Sequence, residues 1–568
     1  MTNSRPMRHA ICRAVVSAGA IALVTFFSAS SLYGSEPDKE FAETGKSIEL
    51  FGNVVRELSQ KYVDTVDVSK LIYIGIDGVL ESLDPYTVFL DAGQSEELEE
   101  ITSGQYAGIG LSLAKFGGAA YVTSVVDGYP AWKAGIRTGA RIIAINGVAL
   151  TKNNIDNLKE MIKGPAGGSL TIKIERGSLP RSAETVKLVR QAVHHSTVSF
   201  AGIIDGAAYI IMDSFSAKSA EELSAALQKL MKESAPGTPP LKGVVLDLRG
   251  NPGGLLTSAI EVTGLFVEKG SEVLSIRGKQ PDSRQVYTTQ LEPFSATIPL
   301  VVLLDSGSAS ASEIVSGAIQ DLDRGIIIGE RSFGKGLVQS IVQLPYNYSV
   351  KLTTAKYYTP SGRLIQKDLH PKTDEPKERE GQLSEPAKSP KVYYTANRRS
   401  VYGGGGIMPD ITVPAAMLSE YEKALLKEGL FFRFAILYHS EHALPPMLPL
   451  ERTALMSAFG KFLEDQNFIY TTKPEQEFEK LRSTLVKETP AEGSEAPALT
   501  GMKEEIARRK QMEISRNREH VARLLELEIL RHYNESLAKS AGLHDDPVVQ
   551  KALELLSDKK KYSGIISH

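Results

Sequence analysis

The chain has 568 residues, and at roughly 100 to 200 residues per domain it accommodates three to five folded units, which excludes a small disulfide-stapled scaffold. With 42% hydrophobic residues, 23% charged residues and a net charge of −3, it is neither a polybasic nucleic-acid binder nor a largely disordered chain. The single cysteine, Cys12, excludes an intramolecular disulfide and a four-cysteine zinc site, and it argues against a cysteine nucleophile.

At the N-terminus, Arg5, Arg8 and Arg13 precede a mostly apolar run from Ala14 to Phe27, followed by the small residues Ser28, Ala29, Ser30 and Ser31. This is the order of an export signal. The apolar run would rise only about 21 Å as a helix, short of the roughly 30 Å hydrocarbon core. Residues 1–34 are therefore expected to be a removable leader that takes Cys12 with it. No second run of about 20 apolar residues follows, so no stable membrane span is expected after cleavage.

Residues 35–104 show helical spacing in Ile48, Phe51, Val54, Val55, Leu58 and Tyr62, and again from Leu71 to Leu83. A small helical domain is predicted, its second helix ending before the Asp84-Pro85 step. Residues 105–192 change to short alternating strands with glycine turns, at Ile109–Leu113, Tyr121–Val126, Arg141–Ile145 and Thr171–Glu175, plus one helix around Ile155–Ile162. From 193 to 414 buried strands alternate with helices: Ala207–Met212 and Ala217–Met231, Gly243–Leu248 and Leu255–Phe266, Leu300–Leu304 and Ser312–Gln320. This predicts an α/β unit built on parallel strands. Within it, 367–399 is rich in Pro, Lys, Glu and Ser and reads as a solvent-exposed insertion, and Gly403–Gly406 reads as a flexible joint. Residues 415–568 read as mainly helical; the charged stretch Glu504–Tyr533 is predicted as a solvated helix or helix pair, with a partner-binding coiled coil as the other possibility.

Ligands sit at the carboxyl ends of parallel strands in open α/β sheets, so two strand-to-helix junctions draw attention. Gly243-Val-Val-Leu-Asp-Leu-Arg-Gly-Asn-Pro-Gly-Gly254 runs from a strand into a glycine-rich turn, where Gly253 and Gly254 could offer N–H groups to an oxyanion or could simply permit a tight turn. Val301-Val-Leu-Leu-Asp-Ser-Gly-Ser-Ala-Ser-Ala-Ser-Glu313 ends a buried strand in small residues. Ser310 falls at the predicted helix start, as either an N-cap or a nucleophile favoured by the helix N-terminus, with the Ala311 N–H as a further oxyanion donor. The four serines 306, 308, 310 and 312 exceed what one cap requires.

Gly329-Glu-Arg-Ser-Phe-Gly-Lys-Gly approaches a phosphate-binding loop, but position 336 is glycine where a hydroxyl would hold magnesium, and the next segment reads as a strand and not a helix. On a strand Lys335 and Gln339 share a face. That arrangement suits a general base held by an amide, or else a surface lysine in a hairpin. To act as base, Lys335 must have its pKa brought from roughly 10.4 to about 7.5, about 4 kcal/mol of bias that burial can supply. No Gly-x-Ser-x-Gly elbow or His-Glu-x-x-His helix occurs. His194, His195, His439 and His442 lack partners of metal-site type.

Taken together, Gly307-Ser-Ala-Ser-Ala-Ser-Glu313 and Phe333-Gly-Lys-Gly-Leu-Val-Gln339 resemble the core of the C-terminal processing peptidases, or tail-specific proteases. The family's nucleophile is the serine between two alanines, its lysine base follows 25 residues later and a glutamine four further on. The resemblance implies those roles for Ser310, Lys335 and Gln339, with Ala311, Gly253 and Gly254 at the oxyanion. It spans most of residues 50–414 and extends to Tyr358-Thr-Pro-Ser-Gly-Arg363 and Gly406-Ile-Met-Pro-Asp-Ile-Thr-Val413. Residues 105–192 resemble a PDZ domain, whose carboxylate-binding loop would be Gly108, Ile109, Gly110 and Leu111, although Ala140 stands where this family usually has aspartate.

The implied architecture is multidomain α/β: a peptidase core of crotonase-like ββα units with an inserted PDZ domain, an N-terminal helical domain and a C-terminal helical extension. The implied activity is that of an exported, periplasmic or cell-envelope serine endopeptidase acting on proteins with accessible C-termini, without metal or cofactor. The helical extension is left as a site for an adaptor or self-association. A non-catalytic PDZ scaffold would leave Ser310 and Lys335 without a role, and an acyl-thioester enzyme would leave the PDZ-like domain without one.

Overall fold

A computed structural model describes residues 36–176, 183–234, 240–280, 282–367, 391–442, 444–488 and 497–567. The expected leader and Cys12 lie outside these residues. Among the described residues no helix is long and apolar enough to cross a membrane. The chain divides into two compact units, up to Phe89 and from Leu90 onward. The first holds helices α1 (Glu36–Lys61) and α2 (Val68–Glu81). Asp67 caps α2 by accepting from the Lys70 N–H, and past its end the Asp84 carboxylate takes the Tyr86 and Thr87 N–H groups at 2.8 and 2.9 Å. The chain thus turns at the Asp-Pro step, where proline disfavours helix.

The second unit opens with α3 (Ala92–Ser103), so the helical stretch expected for 35–104 is shared between the two units. Strands β1 (Gln105–Gly108), β2 (Leu111–Phe116) and β3 (Ala119–Val125) follow, then the short helix α4 (Pro130–Lys133), β4 (Arg141–Ile145), α5 (Leu158–Ile162), β5 (Ser169–Glu175), β6 (Ala183–Val189) and β7 (Gln191–His194). The sheet order is β2-β3-β4-β5-β6, while β1 and β7 pair with each other as the two chain crossings into this domain. Alternation places Ala120, Val122, Ile142, Ile145, Leu170, Ile172 and Ile174 in one core. Edge strand β2 and helix α5 wall a groove of about 570 Å³ that reaches from Gly108 to Lys115.

Next come β8 (Val198–Ile204), β9 (Ala207–Met212), α6 (Ser219–Glu233), β10 (Val244–Asp247), α7 (Leu256–Gly264), β11 (Glu272–Gly278), β12 (Gln285–Thr288), β13 (Leu300–Leu304), α8 (Ala311–Asp321), β14 (Ile326–Gly329), β15 (Leu337–Gln343), β16 (Ser349–Tyr358), β17 (Val392–Tyr394), β18 (Ser400–Tyr402) and β19 (Ile411–Thr412). The central sheet runs β8-β9-β10-β13-β14-β19 and is parallel except for the β8-β9 hairpin. A second, antiparallel layer contains β15-β16-β11-β12. Val244, Leu246, Leu300 and Val302 point towards α6, α7 and α8. Val245, Val301, Leu303, Ile326 and Ile328 point the other way. Strands buried on both faces explain the unbroken apolar runs in the sequence.

The C-terminal extension covers that other face. The extension comprises α9 (Glu420–Lys427), α10 (Leu430–Glu441), α11 (Arg452–Asp465), α12 (Lys473–Glu488), α13 (Pro497–Arg516), α14 (Arg518–Tyr533), α15 (Glu535–Leu543), α16 (Pro547–Ser557) and α17 (Lys559–Ile566). Val548, Val549, Ala552, Leu555 and Leu556 of α16 pack on the sheet, and the Tyr562 hydroxyl bonds with both N–H and C=O of Leu300. Within 504–533 the expectation of a solvated helix holds for α13, which buries no residue, but α14 buries Val521, Ala522, Leu525, Ile529 and Leu530.

Two loop expectations also change. Residues 368–390 lie outside the described residues; 391–399 is mostly exposed, as expected, but it carries β17 and is anchored by the buried Thr395 and Arg399, the latter paired with Asp323 and Asp410 at 2.6 Å each. The glycines at 403–406 are no joint, since the N–H groups of Gly404, Gly405 and Gly406 all donate to Leu364 or Ile365.

The PDZ-like sheet leans on the extension through Phe116, whose ring lies 5.5 Å from Phe432, itself 4.9 Å from His532. The His532 side chain is 2% exposed, and burial, assisted by His439 and Arg531, pushes its pKa down to about 3. A free imidazole titrates near 6.5, so the unfolded chain takes up a proton that the folded chain refuses. Stability is therefore full above about pH 6.5 and is lost as the pH falls towards about 3. Urea unfolding at pH 5 is expected to show about 2 kcal/mol less stability from this group than at pH 8. The His532→Gln variant is expected to lack that part of the pH dependence.

Candidate active site

The two strand-to-helix junctions meet, and Asn251 is the residue that joins them. It is fully buried. Its amide donates to Met212 O at 2.7 Å, its Oδ1 accepts from the Gly253 N–H at 2.9 Å, and its main-chain carbonyl accepts from the Ala309 N–H and the Ser312 hydroxyl at 3.0 and 2.9 Å. Ser308 adds a bond to Leu248 O at 2.8 Å, and Asp305 accepts from the N–H groups of Gly250 and Gly307. The serine cluster thereby sorts itself: Ser308 and Ser312 are buried fasteners, Ser306 is exposed, and Ser310 stands partly exposed at the head of α8.

Ser310 has φ 54° and ψ −110°. A non-glycine residue in that region carries strain that the surroundings must hold. Ser310 is the N-cap of α8, its N–H donating to Glu313 in a capping box, but with φ and ψ far from the extended values an N-cap ordinarily takes. Gly253 is pressed against it: a Cβ there would lie 2.7 Å from Ala309 O and 2.8 Å from both Ala311 N and Ser310 Cβ. The expectation that both glycines present donors is narrowed, because the Gly253 N–H is taken by Asn251 Oδ1. Among the described residues the Gly254 and Ala311 N–H groups have no such internal partner.

Lys335 lies two residues before β15, between two glycines whose need is steric. A Cβ on Gly334 would meet Gly406 N at 3.0 Å, and one on Gly336 would meet Gln366 N at 2.8 Å. Lys335 Nζ donates to Gln339 Oε1 at 2.9 Å. The two side chains meet, but not through the shared strand face expected from the sequence: Lys335 lies two residues before β15, and the strand's register shifts between Val338 and Gln339.

Two residues that sequence reasoning passed over tie Lys335 to Ser310. The fully buried Glu313 accepts from the Ser310 N–H (2.8 Å), the Ser332 hydroxyl (2.5 Å), the Gly334 N–H (2.7 Å) and the Lys335 N–H (2.9 Å). Burial pushes its pKa up, against the downward pull of these four bonds. Tyr357 Oη lies 3.2 Å from Ser310 O and 2.8 Å from Lys335 O. The only sequence signal for Glu313 is an acidic residue three places into a helix, which ordinarily means a capping box; that it reaches a loop more than twenty residues away is a tertiary fact. Glu313→Gln would turn an amide N–H₂ towards these donors. It is expected to lower kcat by about tenfold or more with a stability loss of about 2 kcal/mol, read by kinetics and thermal melting on one preparation.

In the PDZ-like domain the carbonyls of Ile109 and Gly110 accept from the Ala131 and Val126 N–H groups, both at 2.9 Å. A trans peptide points its N–H opposite its carbonyl, so the Gly110 and Leu111 N–H groups face away from these internal contacts. Gly110 has φ 75°, and a Cβ there would lie 2.5 Å from Tyr129 Cβ.

Comparison with known proteins agrees with this layout. Residues 206–374 match the model of peptidase family S41, residues 121–176 a PDZ domain, and residues 421–556 the C-terminal helical domain of probable PDZ-proteases. These define a protease equipped with a PDZ domain and a helical C-terminal domain. The chain is 38% identical over 324 residues to a carboxy-terminal-processing protease of Bartonella bacilliformis, covering 57% of this chain and 73% of that one. It is 33% identical over 351 residues to the carboxy-terminal processing protease CtpA of Bacillus subtilis, covering 61% and 72%. Among solved structures, the photosystem II D1 C-terminal processing protease is 28% identical over 56% of this chain and 89% of that one, with a TM-score of 0.32. The chain belongs to the carboxy-terminal processing proteases of peptidase family S41.

Proposed function

We propose that the protein is an exported serine endopeptidase of the periplasm or cell envelope that captures C-terminal tails of proteins in its PDZ groove and cleaves peptide bonds with a Ser310/Lys335 dyad. Ser310 Oγ attacks the scissile carbonyl, and Lys335 takes its proton and returns it to the leaving amine. Gln339 holds the Lys335 amine in place. The developing oxyanion is received by the Ala311 N–H and the Gly254 N–H, with Gly253 packed beside them. This chemistry needs no cofactor. The observation that carries the reading is Glu313, one buried carboxylate holding both the Ser310 and the Lys335 main chain, an arrangement that neither a helix cap nor a surface lysine calls for.

A serine-directed phosphonate probe is expected to modify the purified protein at Ser310, located by peptide mass analysis, and to fail on Lys335→Ala. Labelling elsewhere, or full labelling of Lys335→Ala, overturns the dyad. For the groove, the apolar lining from Ile109, Leu111, Leu113, Leu158 and Ile162 favours tails ending in an apolar residue with a free carboxylate. Amidating such a tail is expected to raise KM by about tenfold, since the loop N–H groups lose a charged acceptor.

A further inference from the structure

The helical extension reaches the oxyanion turn directly. Arg249, at the start of that turn, is held on three sides. Asp247 Oδ1 accepts from its N–H at 3.0 Å and its Nε at 2.9 Å, Asp247 Oδ2 pairs with NH2 at 2.7 Å, and the Tyr209 hydroxyl lies 3.3 Å from NH2. The third contact comes from nearly 300 residues away: Asp546 Oδ2, at the head of α16, pairs with Arg249 NH1 at 2.7 Å. The Arg249 side chain is mostly buried, so the pair is partly withdrawn from solvent, where charge-assisted bonds are strong.

The turn that Arg249 begins continues into Asn251, whose carbonyl positions Ala309 and Ser312 on either side of Ser310. The neighbouring residue Asp545 pairs with Arg523 of α14 at 2.6 Å, and α14 also carries His532 at the contact with Phe432. The extension thus reaches the peptidase site through the Asp546 carboxylate at the head of α16, next to Asp545, which ties it to α14.

We propose that Asp546 is a positioning residue for the peptidase reaction: its carboxylate fixes the Arg249 guanidinium and through it the oxyanion turn, making the C-terminal extension part of the catalytic apparatus. This rests on the assignment of Ser310 and the 253–254 turn made above. The Asp546 side chain also caps α16, accepting from the N–H groups of Val548 and Val549. Asparagine caps as well as aspartate does, so Asp546→Asn keeps the helix start through Oδ1 and turns an amide N–H₂ towards Arg249 in place of the charged acceptor.

The test is steady-state cleavage of an unstructured polypeptide by the full chain carrying Asp546→Asn, Asp546→Glu, Arg249→Ala, or Asp546→Asn with Arg249→Ala, with Ser310→Ala as control. Asp546→Asn is expected to lower kcat about tenfold with KM unchanged and a melting temperature that falls no further than in Arg249→Ala, because Arg249 keeps its bonds to Asp247. Asp546→Glu is expected to recover most of the loss, and Asp546→Asn to add nothing once Arg249 is alanine. An unchanged kcat in Asp546→Asn overturns the proposal, as does an equal loss in the Arg249→Ala background or a fall in kcat that only follows a fall in melting temperature. Activity retained by Ser310→Ala would instead overturn the underlying dyad, so the two failures are separable.

Discussion

Replacing Ser310 by alanine is expected to lower kcat for an unstructured polypeptide by about 10³-fold or more, and Lys335→Ala to do the same, while both variants still bind tails. The two losses should not add. A nucleophile without its base and a base without its nucleophile fail at the same step, so the double variant should be no slower than either single one. Gln339→Ala should cost less, because it removes only the acceptor that holds Nζ at 2.9 Å and leaves the base in the site. All three should fold, since Ser310 is partly exposed and Lys335 is held by main-chain bonds to Glu313 and Tyr357 that its side chain does not make. Degradation of a reporter followed by gel and by fluorescence decides the matter. Either alanine variant retaining more than a tenth of wild-type kcat would remove that residue from the dyad.

The strands were readable because their chemistry is local. Ala207–Met212 and Leu300–Leu304 are unbroken apolar runs bounded by turn residues, and both form the strands their pattern predicts. Lys335 and Gln339 do meet, but the two-residue period of a strand is not the reason, since Lys335 lies before β15 and the register shifts between Val338 and Gln339. What did not show was everything made by distant partners. Asn251 reads as an unremarkable turn residue until Ala309 and Ser312 come to its carbonyl. The Gly403–Gly406 run reads as a joint because glycine is permissive, yet here the same property admits a close approach: a Cβ on Gly406 would lie 2.5 Å from Ser332 O. Asp546 reads as a helix cap, and it is one, but nothing local indicates that its second oxygen meets Arg249. That the extension covers the central sheet was hidden for the same reason, since an amphipathic helix does not declare which surface it will cover.

That last point has the second large consequence. A chain ending after Ser540 is expected not to fold, although the peptidase and PDZ motifs would remain intact in its sequence. The deletion removes α16 and α17 and uncovers Tyr209, Val245, Val301, Leu303, Ile326 and Ile328, all fully buried in the whole chain. At about 1.5 to 3 kcal/mol for each large apolar side chain, the exposed set is worth on the order of 10 kcal/mol. That equals the whole stability of an ordinary domain, about 5 to 15 kcal/mol. The Leu300 main chain also loses its bonds to Tyr562. A single Leu556→Ala substitution samples the same face more gently and should cost about 2 to 5 kcal/mol without abolishing the fold. Circular dichroism and denaturant unfolding of the truncated and substituted chains distinguish the possibilities. If the extension were a separable adaptor module, the truncated chain would be soluble, would unfold cooperatively at the wild-type midpoint and would still cleave. If it completes the sheet, truncation yields a molten or insoluble chain, and the last two helices are the second wall of the peptidase core.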